Sequence, residues 1–366
     1  RPNPPDEDFG GVCVGYRNPV LTAAHAPLIW RYDMCYEDDP NLLERLGVNA
    51  VFNAGAVYFD NKYYLIARVE GAEGKSFFAA AESNKPTEGF RFRDYPVLLP
   101  DTISEETDVY DMRITKHEDG WIYGVFCSEN LNAAPGAAQT GVIRTKDLMN
   151  WERLPNLAPP APDRRCCCLH PEFVDGEYAF YTRLHDGYFT ANGEGGIPLA
   201  MCKDIAAPVL RIKEPPFRSD SPRTTGLKNG AGAVPIKTER GWIHIAHGVR
   251  ATAAGLRYII YTFATDLNDP SRVIAAPGGQ LIAPKTQERV GDILGASFTN
   301  GCIVKDENVY IYYADSDSHL HVASTTIEKL IDYTFNTPED PLRSVDCVKR
   351  RWDFVDKNFA NGAKSV

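Results

Sequence analysis

The sequence predicts an all-β fold: a five-bladed β-propeller with a short N-terminal extension and a C-terminal helical segment. Two observations carry this prediction: one hairpin pattern recurs five times, and the recurrences are nearly evenly spaced. In each copy an apolar strand leads through a tight turn of Asn, Asp or Gly into a strand rich in aromatic residues, which is typical of paired β-strands. The five copies cover residues 54–70, 111–129, 171–184, 232–249 and 300–317.

The spacing of the turns decides between β-architectures. The turns lie near residues 61, 120, 176, 241 and 307, which is a period of about 55 to 65 residues filled with short strands. Such a period indicates one four-stranded propeller blade per repeat. Further strand candidates lie between the hairpins, at 75–83 and 257–266. A series of β-sandwiches is the structural alternative, but it does not require near-equal spacing.

Helical patterns are confined to the two ends of the chain. Residues 40–47 (PNLLERLG) predict a short helix in the N-terminal extension, and residues 326–333 (TIEKLIDY) predict another near the C-terminus. No Gly- or Ser-rich linker marks a second domain. We therefore divide the chain into an extension that packs on the propeller (1–48), the propeller itself (49–325), and a C-terminal helix and tail that complete the fold (326–366).

The composition excludes several classes of partner. The chain has 366 residues, of which 43% are hydrophobic and 24% charged, as in ordinary globular proteins. Its net charge of −10 argues against nucleic acid or an anionic membrane as the main partner. No apolar run approaches the ~20 residues that span a bilayer. The nine cysteines are odd in number and lack a framework spacing, which fits a reducing compartment. With no signal-peptide pattern visible, we expect a cytoplasmic protein.

Three consecutive cysteines stand out in the stretch PDRRCCCLHPE at 162–172. In a strand, Cys166 and Cys168 point to one face of the sheet and Cys167 to the other. The three thiolates then cannot converge on one ion, and zinc ligands are usually separated by two or more residues. We therefore expect the cysteines to pack in a buried strand, and we predict no metal site there.

Polar residues at the starts of the innermost strands are the candidates for chemistry. A propeller gathers these positions around one axial pocket, and Asn53, Asp111 and Asn300 open the first, second and fifth hairpins. Asp108 lies three residues before Asp111, so the two would point to opposite faces of an extended segment. They are therefore not an acid–base pair that acts on one bond.

Basic residues form a second candidate set, notable in an acidic protein. Forked arginine donors, a lysine and a histidine together are suited to binding an oxyanion such as phosphate. Four such residues lie beside predicted blade strands in four separate segments: Arg165, Arg183, Lys228 and His247.

The last repeat raises a further possibility, a metal site. Asp315 and Asp317 would share one face of a strand, and His319 and His321 would join them if the strand continued. The alternative, a polar strand end, is the favoured interpretation.

Five separated motifs carry a resemblance to a known family. In order along the chain they are VFNAGAVYFDNKYYLIARVEG, DVYDMRITKHEDGWIYG, LHPEFVDGEYAFYTR, KNGAGAVPIKTERGWIHIAHGVR and YYADSDSHLHVASTTIEKL. The sequence resembles glycoside hydrolase family 130 over nearly its whole length, most closely the branch that acts on 4-O-β-D-mannosyl-D-glucose. The resemblance implies a five-bladed propeller in which phosphate attacks the mannosyl C1 with inversion, giving α-D-mannose 1-phosphate and glucose.

The resemblance also implies roles for individual residues. Asp111 would be the general acid and would protonate the leaving oxygen through a sugar hydroxyl. The four basic residues would hold phosphate, and the mannosyl ring would be held by Asn53, Arg68 and Asp317. Inorganic phosphate would be a co-substrate, with no cofactor and no metal. A homo-oligomer, up to a hexamer, is expected, with the N-terminal extension and the end helix as contacts.

Three alternatives remain open from the sequence. The first is a phosphorylase for β-1,4-manno-oligosaccharides or mannosyl-N-acetylglucosamine. The second is a β-mannoside hydrolase, which should lack the basic cluster because it activates water with a second carboxylate. The third is a non-catalytic sugar-binding propeller, which has no need for Asp111 together with all four basic residues.

Overall fold

The computed structural model describes residues 2–99, 106–130, 138–158, 165–183, 196–213, 228–253, 255–284, 290–291, 293–341 and 343–362. The first three residues of the cysteine-containing stretch, 162–164, lie outside this part of the chain. The chain begins with two short strands, β1 (Pro5–Phe9) and β2 (Cys13–Tyr16), which pair in antiparallel fashion. Two single turns of 3₁₀-helix follow at Ala23–His25 and Leu28–Trp30.

Four blades follow in sequence. Blade 1 consists of β3 (Val48–Phe59), β4 (Lys62–Gly71), β5 (Ser76–Ser83) and β6 (Arg91–Phe92). Blade 2 consists of β7 (Asp108–Lys116), β8 (Ile122–Glu129), β9 (Ala138–Thr145) and β10 (Glu152–Leu154). Blade 3 consists of β11 (Cys168–Leu169), β12 (Tyr178–Tyr181), β13 (Leu199–Cys202) and β14 (Arg211–Ile212). Blade 4 consists of β15 (Lys228–Ala231), β16 (Ile236–Thr238), β17 (Gly241–Thr252), β18 (Gly255–Thr265) and β19 (Val273–Ala275).

Blade 5 is assembled from both ends of the chain. Its C-terminal part is β20 (Ser297–Lys305), β21 (Asn308–Asp315) and β22 (His319–Thr326). β2 pairs with β22, so β1 and β2 form the outer strands of this sheet. The structure thus differs at residues 5–16 from the expected extension that packs on the propeller. The physical reason is that these strands pair with an edge whose backbone groups would otherwise lack partners.

The five sheets confirm the predicted five-bladed propeller. Each sheet is antiparallel, and each of five apolar clusters joins two neighbouring blades. Both faces of a blade are therefore buried, which explains why the strands read as nearly continuous apolar runs rather than strict alternations. The predicted strands at 75–83 and 257–266 correspond to β5 and β18.

Two local predictions are wrong. Residues 40–47 form turns and a bend rather than a helix, because Pro40 and Gly47 leave too few residues between them for a stable one. In blade 3 the predicted first strand at 171–174 is instead the two-residue β11 at Cys168–Leu169, and the turn follows at Asp175–Gly176.

The C-terminal segment holds two helices, one more than predicted. Helix α1 (Ile327–Asn336) begins at the predicted place, where the Thr326 side chain accepts a hydrogen bond from the Lys329 N–H and caps it. Helix α2 (Ser344–Ala360) follows and buries none of its residues against the chain. Within the described residues, no helix is long and apolar enough to cross a membrane.

The innermost strands approach one another closely around the axis. β3 contacts both β7 and β20. At one crossing the fold requires a glycine: a Cβ on Gly301 would lie 2.6 Å from the Ala54 carbonyl oxygen and from the Ala56 nitrogen. This packing brings the ends of the inner strands, and the side chains they carry, to a common centre.

Candidate active site

All eight residues predicted from the sequence line one pocket on the propeller axis. Every blade contributes at least one of them. They are Asn53 and Arg68 from blade 1, Asp111 from blade 2, Arg165 and Arg183 from blade 3, Lys228 and His247 from blade 4, and Asp317 from blade 5. The structure therefore brings together residues that are separated by up to 264 positions in the chain. Their chemical roles remain predictions.

Asp111 is turned toward the axis by a β-bulge. The pairing of β7 with β8 shifts register between Tyr110 and Arg113, and Asp111 has a φ of +58°. A non-glycine residue with positive φ is strained and persists where its surroundings fix it. Arg113 fixes it here: this fully buried guanidinium donates to the Asp111 carbonyl at 3.0 Å and to the carbonyls of Ala231 and Gly232 across the axis.

Asn53 repeats this arrangement in blade 1. β3 carries a bulge between Phe52 and Gly55, and Asn53 has a φ of +44°. Its amide nitrogen donates to Asp111 Oδ1 at 2.8 Å. Its amide oxygen is buried, and in the described part of the chain it has no hydrogen-bond partner. Bulges of this kind re-aim side chains next to functional sites, and here two neighbouring bulges aim an amide and a carboxyl at each other.

Arg68 completes this side of the pocket. Its guanidinium lies between the rings of Phe52 and Tyr110, 4.5 and 4.9 Å from their centroids. Its Nε donates to the Ser76 hydroxyl at 2.8 Å, and its Nη1 lies 3.5 Å from Asp111 Oδ1. Burial acts to lower the pKa of Arg68, but the nearby carboxylates, Asp111 first and Asp317 next, raise it above its usual value. Arg68 is therefore a fixed cation beside Asp111.

The two oxygens of Asp111 have different surroundings. Both donors, Asn53 and Arg68, approach Oδ1. None of the described residues hydrogen-bonds to Oδ2, so this oxygen keeps its hydrogen-bonding capacity for a ligand. The side chain of Asp111 is largely buried, which keeps most water away from the carboxyl group.

The opposite side of the pocket carries the basic residues. Arg165 and Arg183 flank the short strands β11 and β12, and Lys228 opens β15. Arg183 is 8% exposed and Lys228 5% exposed, so both side chains are held in a low-dielectric setting. Cations in such a setting interact strongly with an anion. His247 lies on β17 with its ring centroid 4.4 Å from that of Phe298.

Cys166 corrects the prediction that the three cysteines only pack. Cys167 and Cys168 belong to two interblade clusters, as expected. Cys166 has a φ of +59°, which breaks the strand alternation, and its Sγ lines the pocket 3.8 Å from His247 Nε2. Gly230 allows this approach, because a Cβ there would lie 2.6 Å from His247 Cε1.

Asp315 and Asp317 do not share a face, contrary to the sequence prediction. β21 ends at Asp315, and the turn that follows places Ser316 and Asp317 at positive φ. Asp317 lines the pocket, whereas Asp315 faces away, 3.4 Å from the ring nitrogens of both His319 and His321. Among the described residues, no group of three or more His, Cys, Asp or Glu side chains is placed to hold a metal ion.

Sequence reasoning missed several residues that line the pocket. Tyr110 is adjacent to Asp111, and Phe298 lies two positions before Asn300. Both residues therefore lie near the start of an inner strand, and this position is the signal that could have identified them. Tyr258, Ile293 and Ala296 carry no such signal. Cys166 also lines the pocket, although the sequence predicts only packing for it. Asn300, a further candidate from the sequence, does not line the pocket, and its amide nitrogen is 3.5 Å from the Asn53 carbonyl oxygen.

Comparisons with known proteins identify relatives of this chain. The profile of the family described as beta-1,4-mannooligosaccharide phosphorylase matches residues 27–336. The chain is 49% identical to the 4-O-beta-D-mannosyl-D-glucose phosphorylase of Bacteroides fragilis, over 98% of this chain and 94% of that protein. It is 28% identical to the 1,2-beta-oligomannan phosphorylase of a Thermoanaerobacter species, over 75% of this chain and 89% of that protein.

A solved structure extends the similarity to the fold. The structure of beta-1,2-mannobiose phosphorylase from Listeria innocua superposes with a TM-score of 0.72 at 20% identity, covering 87% of this chain and 98% of that one. At this level of identity the match concerns the propeller alone.

Proposed function

Because the chain belongs to glycoside hydrolase family 130, we propose that it cleaves 4-O-β-D-mannosyl-D-glucose with inorganic phosphate. The products are α-D-mannose 1-phosphate and D-glucose. The observation that carries the proposal is the meeting of one strained, partly desolvated carboxyl group, Asp111, with four basic residues in a single axial pocket. The proposed preference for a glucose acceptor is inferred from the name of the relative that is 49% identical to the chain.

The proposed reaction is a single inverting displacement. A phosphate oxygen attacks C1 of the mannosyl unit, and the bond from C1 to O4 of glucose breaks with its electron pair moving to O4. Asp111 supplies the proton that neutralises O4, passed on through a sugar hydroxyl. Since Asn53 and Arg68 occupy Oδ1, the proton is held on Oδ2. General acid catalysis of this kind contributes typically 10²–10⁴-fold to the rate.

The sugar lies, in this proposal, against blades 1, 2 and 5. The buried amide oxygen of Asn53 accepts a hydrogen bond from a mannosyl hydroxyl, and satisfying such a group is favourable because a buried acceptor without a partner is destabilising. Arg68 and Asp317 provide a donor and an acceptor at the same end of the pocket. Fixed polar groups such as these orient a substrate without reorganising.

Phosphate lies on the side formed by blades 3 and 4. Arg165, Arg183, Lys228 and His247 present donors to one cavity, and charge-assisted hydrogen bonds of this type are about twice as strong as neutral ones. The nucleophile is already an anion, so the site does not require a base to deprotonate it. No cofactor takes part in the proposed reaction.

Hydrolysis is the competing reaction, because Asp317 is a second carboxylate at the pocket. An inverting hydrolase would use such a group to activate water. The four basic residues favour phosphate, since a base that deprotonates water works best without a cationic cluster around the nucleophile.

One experiment tests the proposal. The protein is incubated with 4-O-β-D-mannosyl-D-glucose, with and without inorganic phosphate, and the products are followed by ³¹P NMR and by glucose release. We expect α-mannose 1-phosphate and glucose in equal amounts, and only with phosphate. Glucose release without phosphate would establish a hydrolase, and no product in either case would refute the assignment. β-1,4-Mannobiose and mannosyl-N-acetylglucosamine in parallel reactions test the acceptor preference.

The assembly is proposed to be a homo-oligomer, up to a hexamer, formed through α2. This helix buries no residue within its own chain. Its exposed apolar side chains follow the 3,4,3,4 spacing of a coiled-coil seam: Val345, Val348, Trp352, Val355 and Phe359. Light scattering on the wild type and on Trp352→Glu tests this, and a wild-type monomer would contradict it.

The location is proposed to be the cytoplasm, on the basis of the odd number of cysteines and their lack of a framework spacing. Fractionation of the source cells tests this, and recovery outside the cytoplasmic fraction would contradict it.

A further inference from the structure

A carboxylate that does not line the pocket connects its two sides. Glu129 is the last residue of β8. Its Oε1 accepts a hydrogen bond from the Tyr110 hydroxyl at 2.5 Å and another from Arg165 Nη2. The Glu129 side chain is 12% exposed and that of Arg165 19% exposed, so the ion pair is shielded from most of the solvent.

The two partners of Glu129 belong to different halves of the pocket. Arg165 is one of the proposed phosphate ligands. The Tyr110 ring supports the guanidinium of Arg68, whose Nη1 lies 3.5 Å from Asp111 Oδ1. Contacts therefore run without a gap from Arg165 through Glu129 and Tyr110 to the group beside the proposed acid.

The backbone of Glu129 is well anchored. It pairs with Asp108 in the sheet, three residues before the bulge that aims Asp111. Its carbonyl also accepts hydrogen bonds from the backbone N–H and the hydroxyl of Thr107, at 2.7 and 3.0 Å. The carboxylate is thus presented from a rigid strand.

An anchor of this kind matters for Arg165. It lies outside a strand, three residues before β11, and ordering a long arginine side chain costs rotamer entropy. If the side chain is ordered before phosphate arrives, this loss does not reduce the binding affinity. The ion pair with Glu129 orders it in that way.

We propose that Glu129 is the positioning residue of the phosphate subsite: it holds the Arg165 guanidinium toward the pocket and, through Tyr110, ties it to the sugar side. This inference rests on the proposed phosphorolysis. Glu129 has no proposed contact with substrate. Removal of its carboxylate therefore affects phosphate binding through Arg165.

The test compares Glu129→Gln and Glu129→Asp with the wild type. Gln keeps the length and one acceptor but removes the charge, and Asp keeps the charge but is one methylene shorter. In both variants we expect the KM for phosphate to rise about tenfold, because a charge-assisted hydrogen bond is lost or misplaced. We expect kcat and the KM for the disaccharide to stay within about threefold. Calorimetric titration with inorganic phosphate should show the same weakening of binding.

Blade 2 offers a matched control. Glu106 Oε1 and Arg153 Nη2 form a second glutamate–arginine pair, 3.1 Å apart and even less exposed, and neither residue lines the axial pocket. Glu106→Gln should lower the free energy of unfolding but leave the KM for phosphate unchanged.

The outcomes separate the inference from the proposed function. An unchanged phosphate KM in Glu129→Gln would overturn the inference, as would tighter phosphate binding, which would mean that the carboxylate only repels the anion. A fall in kcat together with equal rises in both KM values would also overturn the inference, because it would indicate general damage to the pocket. If the wild type forms no mannose 1-phosphate, the proposed function fails, while phosphate titration of the wild type and the variants still tests the role of Glu129.

Discussion

The two halves of the axial pocket are built differently. On the side of blades 1, 2 and 5, the inner strands β3, β7 and β20 have 12, 9 and 9 residues, and each contains a register shift. On the side of blades 3 and 4, the inner strands β11 and β15 have only 2 and 4 residues. The first half carries the proposed acid and the proposed sugar ligands, and the second half carries the proposed phosphate ligands.

Backbone strain and side-chain placement are distributed differently between the two halves. A proton donor must be aligned closely with the bond it serves, and a bulge within a long, fully paired strand fixes a side chain with little freedom. An anion with several equivalent oxygens tolerates more variation in the positions of its donors, so long side chains at strand ends are sufficient to bind it. We therefore expect changes in the first half to act on kcat and changes in the second half to act on the KM for phosphate.

The largest effect should come from Asp111→Asn. The amide cannot donate the proton, so we expect kcat to fall by about 10³-fold. Because the two side chains have nearly the same shape, the free energy of unfolding should change little. Kinetics with the disaccharide and denaturant unfolding measure the two quantities. Full activity in this variant would remove Asp111 as the acid and would break the contrast between the halves.

Acidic pH should destabilise the packing of blades 3 and 4 before that of blades 1, 2 and 5. His170 and His244 lie between blades 3 and 4, packed on Trp242 and on Phe263 at ring distances of 4.3 Å. Burial lowers the pKa of His170 to about 4 and that of His244 well below its usual value. Their neutral forms stabilise the fold above pH ~6.5, and that stability is lost as the pH falls from ~6.5 toward 4.

For His170 this loss amounts to about 3 kcal/mol by pH 4, of which about 2 kcal/mol should already be lost at pH 5. Urea unfolding at pH 7.5, 6 and 5 measures it. His244→Phe keeps the ring stacking with Phe263 and should flatten the pH profile. A wild-type free energy of unfolding that is constant between pH 7.5 and 5 would contradict this prediction.

Arg183→Ala should give the third effect in size. Loss of a charge-assisted donor corresponds to about 1.5–3 kcal/mol, so we expect the KM for phosphate to rise between 10- and 100-fold while the KM for the disaccharide changes little. Arg211→Ala is the matched control, because Arg211 is an exposed arginine of the same blade that pairs with Glu177. A rise in both KM values for Arg183→Ala would show that the two halves are not independent.

The sequence was sufficient to predict the blades and most of the site for an identifiable reason. Hairpin turns and strand composition are local signals, and their regular spacing reports a repeated unit. Asn53 and Asp111 could be predicted because a propeller brings equivalent strand starts together. Tyr258 and Ile293 could not, because they reach the pocket through packing that no local pattern records.

The cysteine stretch shows which side-chain positions a local sequence pattern predicts and which depend on distant segments. Strand alternation correctly predicts packing for Cys167 and Cys168. It is wrong for Cys166, because the positive φ at that residue turns its side chain toward His247, 81 positions away. That conformation depends on the space left by Gly230 in another blade.

The sequence alone was enough to predict the five blades and eight of the residues that line the axial pocket, four of them basic. Only the tertiary structure decided that β1 and β2 complete blade 5, that Asp315 and Asp317 diverge, and that Glu129 joins the two halves of the pocket. The physical reason is that propensities and turns act over a few residues, whereas ring closure, bulge geometry and ion pairs between strands depend on contacts that form when distant segments pack.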